Sequence, residues 1–216
     1  MTTAQKIQDI RRDYMLQSLD ENDLLPDGIE MFSKWFDEAV KAEVADVNGM
    51  SLATCGSDGQ PTSRVVLLKG LEHGGFVFYT NYESAKGLQI AQNNKVGLCF
   101  YWPELERQIR IDGVAEKLPF EVNEAYFKSR PYESRIGAWA SHQSKPVQSR
   151  SQLEAQFNDM KEEYPNVDDV PLPPYWGGYV VKPLRLEFWQ GRASRLHDRF
   201  EYELIDGNWT KKRLSP

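Results

Sequence analysis

The residues best suited to chemistry lie near the C-terminus, where Arg-Leu-His-Asp-Arg runs from Arg195 to Arg199. If this stretch is extended, alternate side chains share a face, so Arg195, His197 and Arg199 point to one side. Such a row of cationic or ionisable groups repels itself unless a negative group lies opposite, and guanidinium groups commonly bind phosphate or carboxylate. The segment therefore predicts an anion site. The alternative is a solvated strand face with acidic neighbours as counter-charges.

Further cations lie in the first half of the chain. Arg64 and Lys69 stand at either end of an apolar run. Their separation puts them on opposite faces of a regular strand, so both reach one site only if the chain bends or Lys69 lies past the strand end. Ser84 and Lys86 open a predicted helix, whose free main-chain N–H groups and dipole favour an anion. Ser84 also fits the simpler role of a helix N-cap.

A third set of polar groups lies at the end of another predicted helix. Tyr126 and Arg130 are four residues apart and so share a helix face. Pro131 ends that helix, and Ser134 lies just beyond it. Together these side chains could hold a second phosphate. Alternatively, Tyr126 packs on the core while Arg130 extends to water.

Three more polar residues belong to a loop and a strand. Gln143 and Ser144 lie in the polar stretch 141–149, which has too few apolar residues to pack and is therefore predicted to be a loop. Gln108 alternates with two isoleucines, so it faces away from the apolar side of its strand.

Composition limits the class of protein. The 216 residues carry a formal net charge of −6, from 26 Lys and Arg against 32 Asp and Glu, which argues against general nucleic-acid binding. The N-terminus lacks the apolar run of a signal peptide, and no stretch approaches the roughly 18 apolar residues of a membrane span. Cys55 and Cys99 are predicted to be buried thiols in a reducing compartment. We expect a soluble, cytoplasmic protein.

Several common catalytic devices are missing from the sequence. The three histidines, His73, His142 and His197, are far apart and form no His-Glu-x-x-His pair, so no metal site is predicted. Neither a Rossmann nor a P-loop glycine motif occurs, and there is no nucleophile elbow. Any catalysis is therefore expected to depend on an organic cofactor.

The elements that must position these residues follow from hydrophobic periodicity. Helices are predicted over about 29–43, 84–93, 119–130, 132–140 and 151–163, after a helical N-terminal segment within about 1–45. The helix 29–43 has an apolar stripe of Met31, Phe32, Trp35, Phe36, Ala39 and Val40. Strands are predicted over 50–55, 61–68, 75–80, 95–102, 107–117 and 179–190, with a final hairpin across 206–208. This order favours an antiparallel barrel with inserted helices, in one domain over 1–216.

Eight motifs in the same order resemble the pyridoxine/pyridoxamine 5′-phosphate oxidase family. They are Arg64-Val-Val-Leu-Leu-Lys69, Phe78-Tyr-Thr-Asn81, Leu105-Glu-Arg-Gln108, Tyr126-Phe-Lys-Ser-Arg-Pro131, Ile136-Gly-Ala-Trp139, Pro174-Tyr-Trp-Gly-Gly178, Glu187-Phe-Trp-Gln-Gly191 and Arg195-Leu-His-Asp-Arg199. The resemblance covers nearly the whole chain. It implies a mainly β, α+β fold of the FMN-binding split-barrel type, with antiparallel Greek-key strands, and a homodimer with a flavin at the subunit interface.

The resemblance also implies a reaction and a set of site residues. Pyridoxamine or pyridoxine 5′-phosphate would be oxidised to pyridoxal 5′-phosphate, with O2 as acceptor and H2O2 as product. The implied FMN contacts are Arg64, Lys69, Tyr79, Thr80, Lys86, Gln108, Gln143, Ser144, Trp189 and Arg199. The implied substrate contacts are Arg11, Tyr14, Lys69, Tyr126, Arg130, Ser134, Arg195 and His197, of which Arg195 and His197 would be catalytic.

One position departs from the family pattern. The family commonly has Ser-Arg-Lys at the helix that binds the flavin phosphate, and this chain has Ser84-Ala85-Lys86, which removes one cation. Weaker FMN binding is therefore expected unless another group compensates. Two other functions stay open, namely a split-barrel flavin or deazaflavin reductase with another substrate, and a flavin-binding or haem-binding relative without turnover.

Overall fold

The first long helix of the structure lies close to its predicted position. The computed structural model describes Thr3, Ile7 and residues 13–216, so most of the predicted N-terminal helix lies outside the described residues. Helix α1 spans Gly28–Lys41, and the Asp27 carboxylate caps it by accepting from the main-chain N–H groups of Ile29 and Glu30. Most of the predicted stripe is buried, but Val40 is 50% exposed. The prediction for Val40 was wrong because the buried stripe is narrower than the apolar pairs suggest.

In the described part of the chain, nine strands form one sheet. They are β1 Gly49–Cys55, β2 Pro61–Leu67, β3 Gly70–Glu72, β4 Gly75–Asn81, β5 Lys95–Trp102, β6 Arg107–Lys117, β7 Trp176–Gln190, β8 Asp198–Ile205 and β9 Asn208–Arg213. The strand order is β2-β1-β5-β6-β7-β4-β3, with β8 paired to β7 and β9 paired to β8. The long strand β7 pairs antiparallel with β4 along its first half and with β8 along its second half. Strand β3, which has three residues, was not predicted from the sequence.

Among the residues that the structure describes, four more α-helices connect the strands. They are α2 Ala85–Gln92, α3 Phe120–Ser129, α4 Tyr132–Ala140 and α5 Arg150–Glu163. All four lie within one residue of their predicted bounds. None of the described helices has the length and apolar character needed to cross a membrane.

The chain divides into two compact units that interleave along the sequence. The first comprises the described residues up to Gly49, with Leu98–Ile111 and Leu184–Pro216. Its core is aromatic, and the Trp35 ring meets the Phe188 ring edge-on at 5.2 Å. The second comprises Met50–Gly97 and Asp112–Pro183. Part of its core is a buried cluster of Phe127, Ile136, Val170 and Trp176. The expectation of a single domain stays a prediction.

The segment between β7 and β8 is not extended, so the condition under which Arg195, His197 and Arg199 would share one face is not met. Ala193–Arg195 form one turn of 3-10 helix, in which Ser194 and Arg195 have φ values of 57° and 61°. Strand β8 begins only at Asp198, so the alternation of a strand does not apply to Arg195 and His197. Left-handed backbone at two non-glycine residues is uncommon and has no signal in this sequence.

The two cysteines are free thiols, and both are half-buried rather than buried. Cys55 is the last residue of β1. Cys99 lies on the face of β5 opposite Val96, Leu98 and Phe100, which are buried. The prediction that both thiols are buried was wrong, and for Cys99 the reason is that β5 buries only one of its faces.

Candidate active site

A cavity of about 860 Å³ in the second unit gathers most of the predicted anion-binding residues. Of the predicted site residues, Arg64, Lys69, Tyr79, Thr80, Lys86, Tyr126, Arg130, Ser134 and Gln143 line it. Four of these are cations, yet no aspartate or glutamate among the described residues lines the cavity. A concentration of positive charge without carboxylates, in a chain of net charge −6, suits anionic ligands.

Arg64 and Lys69 reach the same cavity because β2 ends between them. The strand stops at Leu67, and the main-chain N–H of Lys69 donates to the Val77 carbonyl at 2.8 Å. Lys69 therefore lies past the strand end, which is one of the two arrangements that the sequence left open. Burial lowers the pKa of Arg64, whose guanidinium group donates only to neutral oxygens within the described residues.

The start of α2 is shaped to hold Lys86 inside the protein. Ser84 is the N-cap, and its hydroxyl accepts from the main-chain N–H of Gly87 at 3.3 Å. The cap reading of Ser84 is therefore confirmed. Gly87 packs directly on the Tyr82 carbonyl, which a Cβ at this position would overlap. This close approach carries Lys86 into a position where only 9% of it is exposed.

The ammonium group of Lys86 is surrounded by uncharged oxygens. Its Nζ donates to Thr80 Oγ1 at 3.0 Å and to Gln143 Oε1 at 2.9 Å. Burial lowers the pKa of Lys86, and the nearby Arg64 lowers it further. An anion placed between Lys86 and Arg64 would oppose both effects, because it stabilises the charged form.

Arg130 carries an unused hydrogen-bond donor. It follows the last residue of α3, and its guanidinium carbon lies 4.6 Å from the centroid of the Trp176 ring. Its Nη1 is buried, and no hydrogen-bond partner for it occurs in the described part of the chain. Burial also lowers the pKa of Arg130. A buried donor without a partner is costly, so this atom fits a ligand that supplies an acceptor.

One wall of the cavity is a set of near-parallel aromatic rings. The Tyr79 and Tyr126 rings are stacked with centroids 3.7 Å apart, and the Trp176 ring is parallel to that of Tyr126 within 3°. Burial is the main reason that the pKa of Tyr79 is raised to about 12. Trp176 was not among the predicted site residues, although its motif Pro174–Gly178 was noted. These rings give a flat surface suited to a planar ligand ring.

In the first unit, His197 belongs to a separate aromatic cluster. Its ring lies 4.6 Å from that of Trp189 and 5.7 Å from that of Tyr14. Gly191 leaves room for the Tyr14 ring, since a Cβ on Gly191 would come within 2.8 Å of it. The structure thus brings together three predicted site residues, Tyr14, Trp189 and His197.

The hydrogen bonding of His197 identifies its neutral form. Its Nδ1 accepts from the main-chain N–H of Arg192 at 3.1 Å, so the neutral ring carries its proton on Nε2. Burial is the first cause that lowers the pKa of His197, and the charge of Arg195 is the second. His197 is therefore a neutral group that presents an N–H donor.

The segment that carries Tyr14 is held by a buried carboxylate of the same unit. Glu106 Oε2 accepts from the main-chain N–H groups of Met15 and Leu16 at 2.9 and 3.0 Å. The carbonyl of Glu106 accepts from the main-chain N–H of Gly191 at 2.8 Å. Glu106 has φ 55° and is 3% exposed, so it links this segment to the end of β7.

The remaining predicted residues that the structure describes do not line the large cavity. In the first unit, Arg199 forms an ion pair with Glu187 at 2.8 Å, Arg195 is exposed, and Gln108 is half-buried in β6. Ser144 is exposed in the loop after α4 and borders a smaller cavity of about 400 Å³. Arg11 lies outside the described residues. The roles assigned to these five residues stay predictions.

Comparison with known proteins identifies the family. Residues 36–164 match the family model of pyridoxamine 5′-phosphate oxidase, and residues 176–216 match that of the pyridoxine 5′-phosphate oxidase C-terminal dimerisation region. A pyridoxine/pyridoxamine 5′-phosphate oxidase from Cupriavidus metallidurans is 50% identical over 212 residues, which cover 98% of this chain and 99% of that protein. One from Cytophaga hutchinsonii is 51% identical over 209 residues, 96% of this chain and 97% of that protein.

Solved structures agree with this result. PhzG from Burkholderia lata, in complex with tetrahydrophenazine-1-carboxylic acid, has a TM-score of 0.86 at 29% identity and covers 93% of this chain and 99% of its own. An FMN-binding protein from Nostoc punctiforme, related to pyridoxamine 5′-phosphate oxidase, has a TM-score of 0.71 at 18% identity and covers 89% of this chain and all of its own. At this identity the likeness shows the fold alone.

The fold class expected from the sequence, a split barrel of antiparallel strands with inserted helices, is confirmed. The structural neighbours thus define the split-barrel fold, and the family matches define the class as an oxidoreductase. The chain belongs to the pyridoxine/pyridoxamine 5′-phosphate oxidase family.

Proposed function

We propose that this protein is an FMN-dependent oxidase that converts pyridoxamine or pyridoxine 5′-phosphate to pyridoxal 5′-phosphate, with O2 as acceptor and H2O2 as product. The observation that carries the proposal is the carboxylate-free cavity with four cations, one of which has a buried donor without a partner in the described residues. Both ligands end in a phosphate, so each requires its own cationic contacts.

The residues present fit two phosphorylated ligands. Lys86 and Arg64 form one cationic group, in which both side chains contact only neutral oxygens within the described residues. We assign this group to the phosphate of FMN. Lys69, Tyr126, Arg130 and Ser134 form the other group, which we assign to the phosphate of the substrate. The unused Nη1 of Arg130 supports the second assignment, because a phosphate oxygen would satisfy it.

FMN would supply the two-electron redox chemistry that side chains lack. The task of the protein is then to bind, orient and shield its ligands. The flat wall of Tyr79, Tyr126 and Trp176 would exclude water from one side of the ligand rings. His197 would donate a hydrogen bond from Nε2 to the substrate amine or alcohol, and Arg195 would help to position the same group.

A homodimer with FMN at the subunit interface is part of the proposal. It is supported by the match of residues 176–216 to a region described as a dimerisation region. We also propose a cytoplasmic location, with which the two free cysteines are consistent. Light scattering of the purified protein tests the dimer, and cell fractionation tests the location.

The decisive experiment measures flavin and turnover in the same preparation. The purified protein should show a flavin spectrum, and it should release peroxide when pyridoxamine or pyridoxine 5′-phosphate is added under air. The dephosphorylated vitamers serve as the control, and they should react far more slowly because Arg130 and Lys69 then have no phosphate to bind. A protein that binds no FMN, or that turns over both forms equally, would exclude this function.

A further inference from the structure

The guanidinium group of Arg64 is held by three uncharged side chains that have no role so far. They are Thr54 on β1, Thr62 on β2 and Gln89 on α2. Arg64 Nη1 lies 2.6 Å from Thr54 Oγ1, and Arg64 Nη2 lies 2.6 Å from Thr62 Oγ1. Both threonine hydroxyls also contact Gln89 Oε1, at 2.6 and 2.8 Å. Thr54 is 2% exposed, so this network extends from the cavity wall into the core.

The directions of the two hydrogen bonds from Arg64 to the threonines follow from the chemistry of its guanidinium group. A guanidinium group can only donate, so Thr54 Oγ1 and Thr62 Oγ1 must accept from Arg64. Each hydroxyl then has its own proton left, and it donates that proton to Gln89 Oε1. The amide oxygen of Gln89 therefore faces the threonines, and the chain of donors ends on it. These hydrogen bonds together hold the Arg64 guanidinium group in place.

The network holds Arg64 without neutralising it. A glutamate at position 89 could accept the same two hydroxyl protons, but it would add a carboxylate beside the cation, since Gln89 Oε1 is 3.5 Å from Arg64 Nη2. By contrast, Arg199 is held by a carboxylate, that of Glu187 at 2.8 Å. At Arg64 the acceptors are two hydroxyls, one amide and the Leu52 carbonyl. The positive charge thus stays available to a ligand.

We propose that Gln89, with Thr54 and Thr62, positions Arg64 for the phosphate of FMN and keeps its charge uncompensated, so that this set determines selectivity for phosphorylated over dephosphorylated flavin. The inference rests on the proposed function, because it takes FMN as the ligand of this cavity. Gln89 is a positioning residue in this account, since it acts through Arg64.

Two substitutions of Gln89 separate charge from position. Gln89→Glu keeps the shape and the acceptor but introduces a competing carboxylate. Gln89→Met removes the acceptor without adding charge. The matched control is Gln92→Glu, which makes the same charge change three residues later on α2, at an exposed side chain that accepts from the main-chain N–H of Ser57 at 3.0 Å. The affinities of the flavin-free proteins for FMN and for riboflavin are measured by quenching of flavin fluorescence, and melting temperatures check folding.

Gln89→Glu should raise the Kd for FMN by about tenfold or more, while the Kd for riboflavin changes less than about twofold. Gln89→Met should reduce the ratio of the two affinities by a smaller factor, and Gln92→Glu should leave both affinities unchanged. If Gln89→Glu fails to fold, the ratio of the FMN and riboflavin affinities of Gln89→Met tests the inference instead. If the ratio of the FMN and riboflavin affinities is unchanged in the folded Gln89 variants, the inference is wrong and the proposed function still stands. A wild-type protein that binds neither flavin would refute the proposed function, and the inference with it.

Discussion

Replacing Arg130 with methionine should weaken substrate binding without weakening the fold. A phosphate oxygen on the buried Nη1 of Arg130 would form a charge-assisted hydrogen bond worth about 1.5 to 3 kcal/mol, so KM for the phosphorylated substrate should rise roughly 10- to 100-fold. In the free protein, the change loses a cation–π contact with Trp176 of about 0.5 to 2 kcal/mol. It also relieves an unsatisfied donor, which is worth about 1 to 3 kcal/mol. These terms oppose each other, so Tm should move by only about 2 to 4 °C.

The assay compares KM, kcat and the Kd for FMN in wild type, Arg130→Met and a control, Arg150→Met. Arg150 begins α5, and its ion pair with Glu154 is exposed, with 83% and 58% of the two side chains accessible, so its loss should leave all three constants unchanged. FMN affinity should also be unchanged in Arg130→Met, because Lys86 and Arg64 are assigned to that phosphate. A KM equal to wild type, or an equal loss for the dephosphorylated substrate, would refute the assignment of Arg130.

Three further changes test other parts of the account. Ala85→Arg restores a cation at the exposed first residue of α2 and should tighten FMN binding by about tenfold in a titration; equal affinity would mean that the missing arginine is irrelevant here. Burial and Arg195 lower the pKa of His197, so between its unfolded value of 6.5 and its lower folded value the unfolded chain binds more protons. Stability should therefore fall as pH drops below about 6.5, and His197→Asn should remove this component of the Tm-versus-pH curve; identical curves would contradict the shift. Arg135 is 7% exposed and donates to three main-chain carbonyls. Arg135→Met should therefore lower the free energy of unfolding by about 3 kcal/mol and Tm by roughly 6 to 12 °C. A Tm shift as small as that of the control Arg150→Met would show that the three hydrogen bonds contribute little to stability.

The elements that were predicted well are those with strong local signals. Helix α4 and strands β5 and β6 match their predicted bounds because prolines, turn residues and a clear period define them. The turn before β8 could not be predicted because it depends on left-handed backbone at Ser194 and Arg195, which neither residue type signals. Burial of single residues was the least reliable inference, as Val40 and Cys99 show. Whether such a residue is covered depends on tertiary packing rather than on the local pattern.

Residue types and spacing indicated which cations could line one cavity. They did not indicate which side chains position those cations. The four-residue spacing of Tyr126 and Arg130 indicated that they could reach one site, and both line the cavity, although Arg130 is the C-cap of α3 rather than a helical residue. By contrast, the network around Arg64 joins three elements that are far apart in sequence, and Gln89 carries no local signal of its role. The unused donor of Arg130 is likewise visible only once its neighbours are known.

The buried carboxylate of Glu106 has a consequence for proteolysis. To cleave beside Met15, a protease must draw this segment into its own binding cleft. The hydrogen bonds from the main-chain N–H groups of Met15 and Leu16 to the Glu106 carboxylate must break first. Where such opening is fast relative to cleavage, the cutting rate follows the population of the open form. Nicking at this point therefore reports how often the segment that carries Tyr14 leaves the rings of Trp189 and His197.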